Sequence, residues 1–228
     1  MIKMSFTKML NNFKTNNPNW QINEKLAEGK DGSVYSITNI IDNREGAVKL
    51  FKDKKSLKKI KKEFAFFKQC SDIGISPKIY NDKELDEDNK YFMIERMEYT
   101  LIQFVKNYDI SMEHLKEIIT LYEKLSELKI FHNDGNIGRN IMFNNGRFYL
   151  IDFGFSTKFN NKLYKQFGKN PNISHINGLL KYVKKKKLKL YLENLIDNYE
   201  KENNVIINYV KHERIKLEKH REEILKKY

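Results

Sequence analysis

Between Trp20 and Met97 short strand-like runs alternate around a single helical stretch, and after residue 98 the patterning turns mostly helical. Residues 25–28 and 33–41 read as two strands joined by the turn Gly29-Lys30-Asp31-Gly32, and 46–52 reads as a third. Residues 56–69 are expected to be helical, because Leu57, Ile60, Phe64 and Phe67 recur on one helix face. Residues 75–80 and 91–96 complete a set of five strands, separated by an acidic loop at 82–88. The polar stretch 1–19, ending in Asn17-Pro18-Asn19, is a short helix or a loose arm.

In the second half, Ser111 is the expected N-cap of a helix carrying Leu115, Ile118, Ile119, Tyr122 and Leu125 on one face. Residues 131–140 form a polar loop, and 141–143 and 147–151 are short strands around Asn144-Asn145-Gly146. Residues 179–228 read as helices with a break near Asn203-Asn204. The expected organisation is an arm at 1–19, one lobe at 20–97 and a second at 98–228.

Composition narrows the function classes. A hydrophobic share of 40% excludes global disorder. A single cysteine, Cys70, excludes an intrachain disulfide and a cysteine-based metal cluster. No apolar run approaches the ~18 residues of a membrane span, and the N-terminus lacks an apolar signal core, so a cytoplasmic protein without membrane contact is expected. The net charge of +13 rests on 37 Lys and only 6 Arg, beside 26 Asn and 3 Ala, a skew typical of an AT-rich genome.

Three constellations carry chemistry. In L-A-E-G-K-D-G-S-V-Y (26–35), Ala27, Gly29 and Gly32 make a turn whose backbone N–H groups can approach phosphate oxygens, with Val34 over a flat heterocycle; an ordinary hairpin has the same pattern. Lys49 follows Ala47-Val48 in an apolar strand, and Glu63 lies on the apolar stripe of its helix, between Ile60 and Phe67. A buried carboxylate must be paired, and Lys49 is the natural partner, which would hold the ammonium toward nucleotide phosphates. Last come His132-Asn133-Asp134-Gly135-Asn136, Asn140 and Asp152-Phe153-Gly154. Asn140 and Asp152 offer hard oxygens suited to Mg²⁺ held with phosphate, leaving Asp134 as base for an incoming hydroxyl. Their occurrence within 23 residues, 132 to 154, is hard to obtain by chance.

A glycine-bearing hairpin, strand lysine, helix glutamate, H-x-D…N and D-F-G, in that order, resemble the protein-kinase family over about residues 20–160. The resemblance implies an α+β, bilobal protein-kinase-like fold: an N-lobe of a five-stranded antiparallel sheet plus one helix, and a small, mainly helical C-lobe. It implies ATP and Mg²⁺ as cofactors, with ATP in the cleft between the lobes. It places Met93 at the gatekeeper and Glu95-Arg96-Met97 at the hinge that pairs with adenine. Asp134 takes the catalytic aspartate's place, Lys49 held by Glu63 that of the lysine on the α/β-phosphates, and Asn140 and Asp152 those of the metal ligands.

The chain departs from the family pattern at several points. Ala27 stands where the first of three glycines is usual, and Asn140 follows Asp134 by six residues rather than five. Gly135 and Gly138 are expected to absorb the extra residue. Asn136 occupies the place where Ser/Thr kinases carry lysine, bringing a hydrogen-bond donor without charge. No A-P-E follows D-F-G. The compact second half resembles the small kinase of the tRNA-modifying KEOPS assembly and the compact kinases of large DNA viruses; a viral source would make the cytoplasm that of the host, or place the protein in the virion.

The expected activity is serine/threonine protein phosphorylation. The alternatives are a small-molecule kinase and a nucleotide-binding pseudokinase or ATPase subunit of a tRNA-handling complex. The charge is unevenly placed: residues 52–62 carry seven Lys and one Asp, and residues 153–192 carry ten Lys and no acid. A basic surface for acidic protein segments or RNA is the expectation that follows.

Overall fold

Alternation of residue type in 20–51 and the apolar stripe after residue 56 yield the first elements of the computed structural model, which describes residues 6–80 and 84–207. The order is α1 (Phe6–Asn16), β1 (Trp20–Glu28), β2 (Gly32–Asn39), β3 (Glu45–Phe51), α2 (Leu57–Asp72), β4 (Tyr91–Glu95), β5 (Tyr99–Thr100), α3 (Leu101–Asn107) and α4 (Met112–Glu127). Then follow β6 (Ile130–Phe131), α5 (Ile137–Asn140), β7 (Ile141–Asn144), β8 (Arg147–Leu150), β9 (Thr157–Lys158), α6 (Asn161–Phe167), α7 (Ile173–Gly178) and α8 (Lys186–Asn203). The chain divides into two units: residues up to 100 together with 139–156, and residues 101–138 together with the chain from 157 on. Part of the acidic loop and the Lys/Glu-rich segment 211–228 lie outside the described residues. Among the described residues no helix is long and apolar enough to cross a membrane.

In the first unit β1–β4 form an antiparallel sheet in sequence order, four strands rather than the five expected. The stretch at 75–80 contributes one bridge, Ile79 opposite Ile94. The physical reason lies in its other partners. Leu150 N–H donates to the Ile75 carbonyl at 2.8 Å, the Ser76 hydroxyl donates to the Leu150 carbonyl at 2.8 Å, and Pro77 has no N–H to offer a ladder. The stretch therefore ties the sheet to the β7–β8 hairpin. That hairpin turns at Asn145 and Gly146, both at positive φ (48° and 78°), as Asn-Gly turns require.

One face of the sheet is covered by the N-terminal segment, which is a helix and not a loose arm. Phe13 is buried among Ile37, Val48, Leu50, Tyr91 and Met93. Its ring meets Tyr91 edge-on at 5.0 Å. The other face carries α2, whose Phe64 and Phe67 both lie 5.4 Å from Phe92.

In the second unit α4 begins at Ser111, whose hydroxyl accepts from His114 N–H at 3.1 Å while His114 Nδ1 accepts from Ser111 N–H, a reciprocal cap. The helix buries Leu115, Ile118, Ile119, Leu121, Tyr122 and Leu125. β6 pairs antiparallel with β9, Ile130 opposite Lys158 and Phe131 opposite Thr157. α8 ends at Asn204 in the left-handed region (φ 50°), which is where the break was expected.

Candidate functional site

Strand parity decides which side chains of the sheet can act together. Val34 lies opposite both Ala27 and Lys49, and Ala47 sits two residues before Lys49, so Ala27, Val34, Ala47 and Lys49 share one face. On β4 the residues opposite Lys49 and Ala47 are Phe92 and Ile94. Met93, which the resemblance places at the gatekeeper, packs on the Phe13 side of the sheet. The face that bears Lys49 carries Ile94 at that place. A one-residue shift along a strand exchanges the two faces. At the strand end Glu95 N–H donates to the Lys78 carbonyl at 2.8 Å, its carboxylate accepts from Asn144 Nδ2 at 3.1 Å, and Met97 is buried.

The turn between β1 and β2 is closed by Gly29 N–H on the Gly32 carbonyl, 2.8 Å. Gly32 is required by packing: a Cβ there would meet the Leu50 carbonyl of β3, whereas a Cβ at Gly29 would make only an ordinary contact with the Gly32 carbonyl at 3.8 Å.

Lys49 forms the centre of an ion-pair network. Its ammonium donates to Glu63 Oε1 at 2.6 Å and to Asp152 Oδ1 at 2.9 Å. Glu63 projects from α2 with its side chain 1% exposed, and its second oxygen, Oε2, accepts from Lys55 at 2.6 Å. Burial pushes the Lys49 ammonium down, but Glu63 and Asp152 outweigh this and hold its pKa above the ordinary lysine value. Phe153 packs edge-on against Phe67 of α2 at 5.9 Å, which brings the D-F-G segment beside Glu63. Asp152 itself adopts the left-handed conformation (φ 63°, ψ 68°), a costly state for a non-glycine that Asp tolerates better than most.

Asn140 is anchored by its backbone, whose carbonyl accepts from Ile151 N–H at 2.9 Å. Its side chain is 4% exposed, and Nδ2 has no hydrogen-bond partner among the described residues. No three histidine, cysteine or carboxylate side chains converge among the described residues. Two hard oxygen donors, from a backbone-fixed asparagine amide and an aspartate, suit Mg²⁺, which takes the rest of its shell from water and phosphate.

In the second unit the extra residue after Asp134 is taken up by a turn of helix. Asp134 Oδ1 accepts from Asn136 N–H at 2.9 Å, and α5 begins at the next residue. The left-handed residue of this loop is Asn133 (φ 58°), not either glycine. Gly138 answers a close approach instead, since a Cβ there would meet the Tyr182 hydroxyl and Ile102. Asp134 is half-buried and Asn136 exposed. Burial first, then the charge of Asp134 and the Tyr182 phenol, push the Tyr122 hydroxyl well above its usual range.

Three residues that sequence reasoning passed over stand out. Lys55 and Asp31 belong to the network, with Lys55 Nζ 3.2 Å from Asp31 Oδ2. Asn172, fully buried, accepts from His132 N–H at 3.1 Å and donates to the Ile130 carbonyl at 2.8 Å and to Ser126 Oγ at 2.9 Å, bracing the strand that leads into the Asp134 loop. Lys55 was hidden among seven lysines, and the only local sign of Asn172 was Asn170-Pro171-Asn172.

The protein kinase domain family model matches residues 20–172. The chain is 27% identical over 172 residues to the probable serine/threonine-protein kinase YbdM of Bacillus subtilis, covering 68% of this chain and 64% of that one. It is 28% identical over 153 residues to the serine/threonine-protein kinase PRR2 of Saccharomyces cerevisiae, covering 62% of this chain and 22% of the relative. Both alignments therefore span less than two thirds of the relative's length. With a family model covering most of the chain and the network of Lys49, Glu63 and Asp152 assembled, the chain belongs to the protein kinase domain family.

Proposed function

We propose that the protein is an ATP- and Mg²⁺-dependent protein kinase that phosphorylates serine or threonine. The observation that carries this reading is the pairing of Lys49 with both Glu63 and Asp152, on the sheet face that also bears Ala27, Val34 and Ala47. Two relatives named as serine/threonine kinases support the acceptor type.

Phosphoryl transfer asks a protein for positioning and charge neutralisation. Lys49, aimed by Glu63, holds the α/β-phosphates. Asp152 and Asn140 would hold Mg²⁺, which when bound would supply positive charge against the phosphates. Asp134 orients the acceptor hydroxyl and takes its proton as the oxygen bonds to the γ-phosphorus and the bond to the β-phosphate bridging oxygen breaks, releasing ADP. Asn136 donates a hydrogen bond toward the γ-phosphate. The acceptor lies in an acidic protein segment, a reading supported by the ten lysines and absent acids of residues 153–192.

The test is transfer of label from [γ-³²P]ATP with Mg²⁺ to casein, to histone and to tRNA. Label on serine or threonine of casein, lost in Asp134→Ala while ATP binding persists, is the expected result. Hydrolysis without label on protein would overturn it in favour of an ATPase, and retained transfer in Asp134→Ala would overturn the role of that residue.

A further inference from the structure

We propose that Lys55 is a positioning residue for nucleotide binding: it fastens the glycine turn to the glutamate that aims Lys49. The proposal rests on the phosphotransferase reading above. Lys55 precedes α2, and its side chain is 5% exposed. It donates to Glu63 Oε2 at 2.6 Å and reaches Asp31 Oδ2 at 3.2 Å, while Lys49 holds Glu63 Oε1 at 2.6 Å. The Lys55 and Lys49 ammoniums lie 4.8 and 5.3 Å from the centre of the buried Phe51 ring, whose face favours cations.

Charges thus alternate along one chain of contacts: Asp31, Lys55, Glu63, Lys49, Asp152. Lys49 is shared between Glu63 and Asp152, so Lys55 completes the charge balance of the buried Glu63 carboxylate. Lys55 also reaches Asp31, at the tip of the turn. The same segment holds the turn twice more, through Lys52 N–H on the Asp31 carbonyl at 2.8 Å and Lys52 Nζ on the Gly29 carbonyl at 2.9 Å. A turn fixed before the nucleotide arrives loses less freedom on binding, which lowers the KM without touching the chemical step.

The experiment compares Asp31→Asn, Lys55→Met and the double variant in the full chain. It reads hydrogen exchange at the amides of residues 29–32 without nucleotide, and steady-state kinetics in ATP. Asp31→Asn leaves Glu63 doubly paired, so it tests the tether even where Lys55→Met folds poorly. It should speed exchange at the turn and raise the KM for ATP, each by about threefold to fivefold, the size of one partly exposed ion pair, with kcat unchanged. The double variant should show no KM increase beyond that of Lys55→Met, because both changes remove one contact. Unchanged exchange and KM in Asp31→Asn, with only the thermal stability of Lys55→Met reduced, would overturn the proposal and leave Lys55 a counter-ion. A parent protein that binds no ATP would overturn the phosphotransferase reading, and this proposal with it. A parent that binds ATP, with an Asp31→Asn variant that binds equally well, would overturn this proposal alone.

Discussion

Lys49 and Glu63 meet at 2.6 Å from a strand and a helix, and the carboxylate they share with Lys55 is doubly gripped. The two ends of this pair should therefore respond differently. Lys49→Met leaves Glu63 still paired with Lys55, so urea unfolding should show a loss below about 1.5 kcal/mol, while phosphotransfer falls by about 100-fold or more. Glu63→Gln removes the carboxylate common to both lysines and leaves Lys49 only Asp152 and Lys55 only Asp31, so it should cost more, about 2–4 kcal/mol. Equal destabilisation by the two changes would contradict this network.

Glycines 29 and 32 carry different constraints. Gly32→Ala drives a methyl into the Leu50 carbonyl of the neighbouring strand and should destabilise the protein by about 1–3 kcal/mol. Gly29→Ala makes only an ordinary contact, with the Gly32 carbonyl at 3.8 Å, and should stay within about 0.5 kcal/mol of the parent. Chemical denaturation of the two variants side by side reads the contrast.

Asn172 serves the Asp134 loop from beneath. Asn172→Leu leaves His132 N–H and the Ile130 carbonyl without this partner in a buried site, at a cost of about 2–4 kcal/mol. Phosphotransfer should fall further than the folded fraction does, measured by rate per folded molecule.

His175 makes the second unit acid-sensitive. Burial, and after it the neighbouring His132, hold its pKa down to about 3. The ring lies against Tyr122 at 5.4 Å, Phe131 at 5.6 Å and His132 at 5.7 Å. Folded, it stays neutral, whereas the unfolded chain takes up a proton below about pH 6.5. Stability is thus full above that pH and is lost as pH falls toward the folded value, by up to about 1.4 kcal/mol per unit. His175→Phe should flatten the fall in urea midpoint between pH 7 and 4.5 relative to the parent.

The start of α8 opposes its own dipole. Lys185, Lys186 and Lys187 stand at a helix N-terminus with no acidic residue in the first turn and no side-chain cap. Lys186→Glu with Lys187→Glu should raise the melting temperature by a few degrees, as about 1 kcal/mol of favourable charge would. The same pair should weaken phosphorylation of an acidic protein segment without changing ATP affinity. Unchanged phosphorylation would assign these lysines to composition alone.

Local patterns were legible where the physics is local. The Ser111 cap, the Asn145-Gly146 turn and the end of α8 at Asn203 depend on neighbours within a few residues, and the chain builds each where its sequence places it. Glu63 was legible because a carboxylate on an apolar stripe demands a partner, and Lys49 was the nearest apolar-strand cation. The fifth strand misled because its pattern is strand-like, while Leu150, more than seventy residues on in sequence, takes the Ile75 carbonyl and the Ser76 hydroxyl.

By itself the sequence determined β1–β4, α2, α4 and the β7–β8 hairpin, the order of the motifs and the residue types that suit a phosphate and metal site. Only the tertiary structure decided which lysine of seven in 52–62 joins Glu63, that Ile94 rather than Met93 shares a face with Lys49, and that Asn172 supports the strand before Asp134. The reason is that strand parity needs a pairing register before it becomes a direction. Ion pairs and buried hydrogen bonds depend on distances of a few ångströms across the fold, which residue spacing along the chain does not encode.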